Sequence, residues 1–298
     1  MCWILEKSLV TNLEGIRSPQ IGNQYFLHAD NVSVLNEMTD KSLDLVLTSP
    51  PYNIGKSYEK VEPLDDYLAK QEELISLISS KIKPEGNVAW QVGFTFDNGE
   101  LVPLDAVLYP IFRKYGFKLR NRIVWTFGHG MHAKSRFSGR HEVVMIFSLD
   151  GQRGFFDLDS VRVPQKYPEK KSYKGPNKGQ LSGHPLGKNP SDVWDIPNVK
   201  AHHVEKTNHD CQFPIALAQR VIKSLSPIGG LVFDPYSGVA TTNCAAVLEG
   251  RIGIGAELNK EFFEIGSQRI RSALEGTLEY RPIEKPIPEP TSKKVVKP

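Results

Sequence analysis

Apolar runs alternate with helix-like patterns along the first half of the chain. Four mostly apolar runs predict buried strands, at 43–49, 87–93, 119–128 and 141–149. Between them, residues 64–86 and 104–117 carry apolar side chains at helical spacing, and Pro84 and Gly86 predict where the first helix stops. Strands and helices in alternation predict an α/β sheet that is mostly parallel.

The pattern is interrupted from Asp150 to about Lys206 and then returns. Residues 151–200 are rich in Gly, Pro, Lys and Tyr and contain no long periodic run. Helical patterns then recur with apolar strands between them, namely helices at 212–225, 238–250 and 259–276 and strands at 229–237 and 251–258. The chain is therefore predicted to be one α/β domain with an irregular insert. A Pro- and Lys-rich tail at 276–298 is predicted to be disordered.

Length and composition exclude several classes of protein. The chain has 298 residues, of which 40% are hydrophobic and 24% charged, as is typical of globular proteins. No apolar run approaches the roughly 20 residues needed to cross a bilayer. The N-terminal segment lacks the basic region of a signal peptide. We therefore expect a cytoplasmic protein without membrane contact.

Neither the cysteines nor the histidines predict a metal site. Three widely spaced cysteines exclude a disulfide framework and a four-cysteine zinc site; they are Cys2, Cys211 and Cys244. The one His-rich stretch does not have the spacing of metal ligands; its members are His129, His132 and His141. No metal is predicted.

Positive charge is concentrated in the insert. Residues 151–190 carry eight Lys or Arg against three acidic residues, a net charge of +5, whereas the whole chain has a net charge of +3. Clustered Lys and Arg are the usual electrostatic signature of contacts to nucleic-acid phosphates. The alternative is a charged surface that only contacts water.

The segment "FDPYSGVATT" (233–242) predicts a ligand site at the end of a strand. A strand runs into a turn of small residues and then into a helix start, which is where α/β sheets bind nucleotide-like ligands. About 20 residues later the next strand ends in Glu257, a position that commonly binds ribose hydroxyls. No GxGxxG or GKS/T motif is present, so the pattern favours an adenosyl ligand without a pyrophosphate. The alternative is a structural turn and a solvated glutamate.

A second motif, "LTSPPYN" (47–53), also ends a predicted strand. Two prolines fix the backbone between a hydroxyl and an aromatic ring. Because the carboxyl ends of parallel strands share one edge of a sheet, both motifs are expected to open on the same edge. Alone, the hexapeptide "TSPPYN" within it could also be an ordinary loop with a satisfied serine and a buried tyrosine.

Together, these two motifs resemble the DNA amino-methyltransferases, which transfer a methyl group from S-adenosylmethionine to an exocyclic amine of a base. The resemblance covers roughly residues 24–275. It includes three further segments: "LHADNV" around Asp30, "RFSGRHEVVMIFS" (136–148) and "VEKTNHDCQFPIALAQRVI" (204–222). The order of the motifs is that of the β arrangement of this family. One departure is Ala240, which stands where the family usually has a second glycine, and we expect a slightly reshaped cofactor pocket.

The resemblance implies a fold and a division of the chain. The expected fold is a doubly wound, mostly parallel Rossmann-like methyltransferase sheet with an irregular basic target-recognition insert. Residues 24–150 would form the catalytic half, 151–200 the target-recognition region and 201–275 the cofactor-binding half. Residues 276–298 would be the disordered tail.

The resemblance also implies how the catalytic motif acts on the base. The Ser49 hydroxyl and the Pro50 carbonyl would accept hydrogen bonds from the two amine hydrogens, and Pro51 would help to hold them still. Tyr52 would stack on a base that has been flipped out of the duplex. Asn53 either lines the same pocket or is a turn residue.

The remaining site residues are carried over from the same resemblance. The cofactor would be bound by Asp30, Gln212, Phe213, Pro214, Asp234, Pro235, Tyr236, Gly238, Thr241 and Glu257. DNA phosphates would be contacted by Arg136, Arg140, Lys166, Lys170, Lys171 and Lys174. Phe213 could instead be an ordinary core residue.

Several functions are consistent with these motifs, some better than others. Ser49 before Pro-Pro favours cytosine-N4 methylation, because adenine-N6 enzymes usually have Asp or Asn there; adenine-N6 methylation is the main alternative. Cytosine-C5 chemistry is disfavoured, because it needs a nucleophilic thiolate and no cysteine follows a proline in a catalytic-looking loop. A non-catalytic DNA-binding protein, or a methyltransferase for RNA or small molecules, fits less well. The expected partner is double-stranded DNA, and the expected role is protection of host DNA from a restriction endonuclease.

Overall fold

A computed structural model describes residues 20–128, 130 and 132–286. Its strands are β1 (Gln20–Ile21), β2 (Gln24–His28), β3 (Leu43–Thr48), β4 (Ile82–Val92), β5 (Phe94–Asp97), β6 (Glu100–Pro103), β7 (Phe117–Thr126), β8 (His141–Leu149), β9 (Val193–Asp195), β10 (Leu231–Asp234) and β11 (Ile252–Glu257). Its helices are α1 (Asn31–Glu37), α2 (Leu64–Lys81), α3 (Leu104–Lys114), α4 (Ile215–Leu225), α5 (Thr241–Leu248) and α6 (Lys260–Leu274). One 3-10 turn lies at Asp159–Val161.

Nine of these strands form one sheet in the order β1-β2-β11-β10-β3-β4-β8-β7-β9. The central strands β2, β11, β10, β3 and β4 are all parallel to their neighbours in that run. Strand β8 runs antiparallel between β4 and β7. The predicted mostly parallel α/β sheet is therefore confirmed.

Helices cover both faces of the sheet because its central strands are apolar on both sides. On one face, Leu45 and Leu47 of β3 belong to a core cluster with residues of α4, α5 and α6. On the other face, Val46 belongs to a cluster with residues of α1, α2 and α3. Successive side chains of a strand point to opposite faces, so β3 contributes to both cores. This arrangement is the expected doubly wound fold.

The centre of the sheet contains a topological switch point. From β10 the chain passes through α5 to β11 on one side, whereas from β3 it passes through α2 to β4 on the other side. Adjacent parallel strands whose connections diverge leave a crevice at their carboxyl ends, and α/β proteins bind ligands there. Both sequence motifs follow these two strands.

The predicted end of the helix at 64–86 was wrong. Helix α2 stops at Lys81, and β4 begins at once and runs through Pro84. The pairing of β3 with β4 jumps from Leu43–Ile82 to Leu45–Asn87, so the intervening residues of β4 form an irregularity in the ladder. A proline is compatible with this irregular position, because no backbone N–H is needed there for the ladder.

A hairpin of β5 and β6, next to the catalytic motif, was not predicted from the sequence. Asn98 and Gly99 form its two-residue turn, and both have positive φ angles of 47° and 83°. Asn-Gly is the most characteristic sequence for such a turn. The signal was therefore present in "FDNGEL".

The tail begins later than predicted. Leu278, Tyr280 and Ile283 pack against the core, and the backbone N–H of Arg281 donates to Glu205 Oε1 at 3.1 Å. Residues 276–286 are thus part of the fold, and the rest of the predicted tail lies outside the described residues. Among the helices that the structure describes, none is both long and apolar enough to cross a membrane.

Candidate active site

A cavity of about 220 Å³ opens at the carboxyl ends of β3 and β10. Residues of both predicted motifs line it together, although Thr48 and Asp234, which end the two strands, are 186 positions apart in sequence. The predicted residues on its wall are Ser49, Pro50, Pro51, Tyr52, Gln212, Phe213, Pro235, Tyr236, Gly238, Thr241 and Glu257. The sheet topology therefore brings the candidate catalytic and cofactor segments to one place.

The catalytic segment is held by polar contacts from the loop and helix that follow it. The prolines end β3 because they lack the N–H groups that would continue the ladder. The Pro51 carbonyl accepts a hydrogen bond from the Tyr67 hydroxyl at 2.9 Å. Asn53 has a positive φ angle of 59°, and its side-chain amide forms two hydrogen bonds with the backbone of Glu62. Asn53 is therefore a turn residue and does not line the cavity.

The Tyr52 ring stands between this cavity and a smaller one of about 70 Å³. Its hydroxyl donates to Glu142 Oε2 at 3.2 Å and accepts from Gln91 Nε2 at 2.6 Å. The smaller cavity is also lined by Trp125 and Phe127. Two hydrogen bonds therefore fix the orientation of the ring, which lines both cavities.

The glycine turn is tied to the end of the next strand. Gly238 has a φ angle of 52°, and its N–H donates to Glu257 Oε2 at 2.8 Å. The other oxygen of Glu257 accepts the N–H of Asn259 at 2.7 Å. Burial raises the pKa of Glu257 to about 7, although both N–H contacts favour the charged form. The carboxylate is thus positioned on the cavity wall and titrates near neutral pH.

Asp234 does not line the cavity, in contrast to its predicted place beside the cofactor. It is fully buried, and its carboxylate accepts hydrogen bonds of 2.6 Å from each of the hydroxyls of Thr48 and Thr242. Burial raises the pKa of Asp234 to about 6, and these hydroxyl contacts oppose the shift. Asp234 therefore links the ends of β10 and β3 to the start of α5. It supports the residues that line the cavity without lining it itself.

Ala240 adopts a glycine-like backbone. Its φ and ψ angles of 61° and 37° lie in the left-handed region, and its methyl group is fully buried. That methyl faces Gly266 of α6, where an added Cβ would lie 3.0 Å away. The substitution for the family's second glycine therefore keeps the left-handed turn, at the cost of about 1–2 kcal/mol of backbone strain.

We expect Ala240→Gly to change the free energy of unfolding by less than about 1 kcal/mol. Relief of the left-handed strain is offset by the lost methyl burial and by the greater flexibility of glycine in the unfolded chain. Ala240→Val should lower stability by more than about 2 kcal/mol, because a β-branched residue tolerates this conformation poorly. Urea unfolding of the three proteins measures both effects. A large loss in the glycine variant would mean that the methyl contact, and not the backbone, governs this position.

Two other predicted cofactor residues lie outside the cavity. The Asp30 carboxylate caps α1 by accepting the N–H of Ser33 at 3.0 Å. Pro214 precedes the first residue of α4 and lines a separate small cavity beside the tail. Neither side chain is among those that line the cavity between the two motifs.

An aromatic cluster on the cavity wall was missed by the sequence analysis. Tyr58 stacks on His209 with ring centroids 4.9 Å apart, and Phe262 lies 4.6 Å from His209. Burial lowers the pKa of His209 to about 4, so this imidazole is neutral at physiological pH. The three residues come from separate segments, and no local pattern connects them.

The candidate DNA-binding residues are on the surface. The Arg136 guanidinium lies over the rings of Phe94 and Phe96, at 5.3 and 5.1 Å, and so covers the hairpin beside the catalytic segment. Arg140, half-buried, donates to the Gly139 carbonyl at 2.8 Å. The predicted lysines of the insert are all exposed: Lys166, Lys170, Lys171 and Lys174. No group of His, Cys, Asp or Glu within the described part of the chain could hold a metal ion.

Comparison with known proteins identifies the family to which this chain belongs. The model of N6 and N4 methyltransferases, described as DNA methylase, matches residues 43–268. The chain belongs to this DNA methylase family. DNA is the substrate of this methylase, and S-adenosylmethionine is its methyl donor.

Curated relatives of the methylase support the same assignment. It is 45% identical over 242 residues to the type II methyltransferase M.BglII of Bacillus subtilis. The matched region covers 81% of this chain and 67% of the relative. It is 29% identical over 265 residues to the DNA adenine methyltransferase YhdJ of Escherichia coli (strain K12), with 86% of each chain covered. The methylase is thus of the restriction-modification type.

The fold of the methylase also occurs in a solved structure. The PvuII DNA methyltransferase (cytosine-N4-specific) superposes with a TM-score of 0.66 and 19% sequence identity, covering 88% of this chain and 95% of the other. At that identity the likeness concerns the fold. It agrees with the mostly parallel sheet and flanking helices described above.

Proposed function

We propose that the protein transfers a methyl group from S-adenosylmethionine to the N4 amine of a cytosine that is flipped out of double-stranded DNA. The observation that carries this proposal is the common cavity: Ser49, Pro50 and Tyr52 line the same wall as the glycine turn and Glu257. A methyl donor and an amine acceptor would therefore meet at the switch point of the sheet.

The larger cavity fits an adenosyl group. Two backbone N–H groups fix the Glu257 carboxylate in place on the cavity wall. A carboxylate at the end of this strand is suited to accept hydrogen bonds from ribose hydroxyls. Gly238 leaves open a space that a Cβ would fill to within 3.1 Å of His209. Phe213 and Phe262 add apolar aromatic surface for a purine ring. When bound, the cofactor supplies an electrophilic methyl group on a positively charged sulfur.

The smaller cavity is the proposed place of the target base. It shares Tyr52, Gln212 and Phe213 with the larger cavity, so a base seated there would lie next to the cofactor. Trp125 and Phe127 provide further aromatic surface. A base must leave the duplex to reach such a site, and stacking on an aromatic ring offsets part of the stacking energy lost.

The catalytic segment would activate the amine by orientation. An exocyclic amine is a weak nucleophile because its lone pair is delocalised into the ring. Hydrogen bonds from its two N–H groups to Ser49 Oγ and the Pro50 carbonyl would localise that pair and direct it at the methyl group. The anchored prolines and the fixed Tyr52 ring supply the rigidity that such catalysis needs.

The choice of cytosine rests on Ser49. A neutral hydroxyl stands where adenine-N6 enzymes usually carry Asp or Asn. Adenine-N6 methylation is the second candidate, because the relative YhdJ is named a DNA adenine methyltransferase. We further propose that methylation protects host DNA from a restriction endonuclease, as the type II relatives suggest.

Mass spectrometry of digested DNA tests this function. Duplex DNA is incubated with the protein and S-adenosylmethionine, or isolated from cells that express it, and its modified nucleosides are identified. We expect N4-methylcytosine. N6-methyladenine alone would overturn the choice of base and keep the mechanism, whereas 5-methylcytosine would overturn the mechanism.

The exposed lysines of the insert are proposed to contact DNA phosphates. Replacing Lys170 and Lys171 by Ala should reduce the slope of log affinity against log salt by up to roughly two, because each phosphate contact contributes about 0.9. A control replaces Lys114, at the end of α3, and Lys118, near the start of β7; both lie away from the catalytic segment and are paired with Glu72 and Asp150. Fluorescence anisotropy of a labelled duplex gives the slopes. Equal slopes for the parent and the Lys170/Lys171 variant would show that these lysines face only solvent.

A further inference from the structure

Glu142 is a carboxylate at the catalytic segment that has no role in the mechanism above. It is the second residue of β8, and it accepts hydrogen bonds from the Tyr52 hydroxyl at 3.2 Å and from the Gln91 amide. It lines the smaller cavity together with Tyr52. A largely enclosed carboxylate is costly to keep in a fold, so its position beside the reacting centre calls for a chemical explanation.

A chain of hydroxyl groups joins Ser49 to this carboxylate. Ser49 Oγ lies 3.4 Å from the Tyr52 hydroxyl, which in turn lies 3.2 Å from Glu142 Oε2. Gln91 contributes only N–H donors to this group and occupies one acceptor position of the Tyr52 oxygen. The single Tyr52 proton is therefore directed at Glu142, and the remaining lone pair of its oxygen is available to Ser49.

Methyl transfer creates a proton that must be removed. The amine becomes positively charged when its nitrogen binds the methyl carbon, and the product is neutral only after one N–H bond breaks. We propose that Glu142 is the final acceptor of this proton, which reaches it through the hydroxyls of Ser49 and Tyr52. This inference rests on the proposed function, since it assumes that Ser49 accepts a hydrogen bond from the target amine.

The step balances without another reactant. The nitrogen lone pair forms the N–C bond while the C–S bond breaks and leaves its electron pair on sulfur. One N–H bond then breaks and its electron pair stays on nitrogen. The proton moves to Ser49 Oγ as the Ser49 proton moves to Tyr52 and the Tyr52 proton moves to Glu142. Ser49 and Tyr52 regain their original protonation states, and Glu142 stays protonated until it releases the proton to solvent after the product base has left.

The electrostatic surroundings suit this acceptor. Burial raises the pKa of Glu142, and the contacts from Tyr52 and Gln91 and the charge of Lys200 oppose the rise. Asp210 and Cys211 also line the smaller cavity. Burial strongly raises the pKa of Tyr52, so its hydroxyl stays protonated and passes a proton on without storing a charge. An acceptor more basic than an exposed glutamate takes a proton more readily.

Single-turnover methyl transfer as a function of pH tests the relay. The parent rate should rise with pH through an apparent pKa above that of an exposed glutamate, because Glu142 must be deprotonated to accept. Glu142→Gln keeps an oxygen that can accept from Tyr52 but cannot be protonated. It should abolish this acid limb and lower the plateau rate by about 10- to 100-fold. Tyr52→Phe keeps the stacking face and should cause a similar loss.

Two further measurements separate a relay from simple positioning of Tyr52. Lys200→Met removes the nearby positive charge and should move the acid limb to higher pH. Infrared spectra recorded over a pH titration, without cofactor or DNA, should contain a protonated-carboxyl band that is absent from the Glu142→Gln protein. In the Lys200→Met protein this band should titrate at a higher pH. A Glu142→Gln enzyme with the parent's acid limb and rate would overturn the relay alone, whereas a parent that methylates no DNA base would overturn the proposed function with it.

Discussion

The Ser49→Ala and Tyr52→Ala double variant should lose methyl transfer to DNA by more than about 10³-fold while it still binds S-adenosylmethionine. Loss of one preorganised hydrogen-bonding group costs about 10²–10³-fold in comparable sites. Loss of the Tyr52 stacking face costs about 1–3 kcal/mol of base engagement. In the proposed mechanism Ser49 acts only on the reacting amine, whereas the Tyr52 ring also stacks on the flipped base.

The single variants separate these steps. Ser49→Ala should act mainly on the single-turnover rate, whereas Tyr52→Ala should also reduce the fluorescence change of a duplex that reports base flipping. Calorimetry should give S-adenosylmethionine dissociation constants close to the parent's for both. Tyr109→Ala is a matched control, because Tyr109 is 40% exposed on α3 and lies outside both cavities. Full activity in the double variant would overturn the proposed mechanism.

Replacing Glu257 should have the largest effect on the affinity for S-adenosylmethionine. Glu257→Ala should raise the dissociation constant of S-adenosylmethionine by well over tenfold, more than about 1.4 kcal/mol, because the proposed charge-assisted contact to the ribose is lost. The Gly238 N–H also loses its acceptor in this variant. Glu257→Gln retains an acceptor oxygen for that N–H and should lose less affinity. Glu264→Gln, an exposed position on α6 outside the cavity, is the matched control.

The pH dependence of cofactor affinity provides a second signature of Glu257. Burial raises the pKa of Glu257 to about 7, and the proposed hydrogen bonds from the ribose hydroxyls require the charged form. Affinity in the parent should therefore fall as pH drops through 7 and level off above it. The Glu257→Gln protein should lack this dependence. An equal fall in parent and variant would assign the titration to another group and remove Glu257 from the ribose.

The sequence predicted the parts of the site that are local in the chain. Strand ends, the Pro-Pro-Tyr segment and the glycine turn each have a short-range signature, and the parallel sheet forces them to one edge. The direction of a side chain at a strand end has no such signature. The sequence predicts Asp234 beside the cofactor, but the hydroxyls of Thr48 and Thr242 hold its carboxylate on the inner side of the strand ends.

Residues that join the site through tertiary packing could not be predicted. Tyr58, His209 and Phe262 meet on the cavity wall from distant segments, so no periodicity links them. Glu142 lies in "GRHEVVMIFS", where an acidic residue at a strand start suggests only a solvent-exposed end. Its hydrogen bonds to Tyr52 and Gln91 become apparent only when β8 pairs with β4.

The sheet, and not the chain connection, brings the catalytic and cofactor motifs together. Leu274 at the end of α6 lies against Gly22 between β1 and β2, close enough that a Cβ on that glycine would meet it at 2.9 Å. A circular permutant could be joined at this point and opened among the exposed residues of the insert. It would retain the pairings of β2, β11, β10, β3 and β4, and the cofactor motif would precede the catalytic motif along the chain. The fold itself therefore does not require the order in which the two motifs occur along the chain.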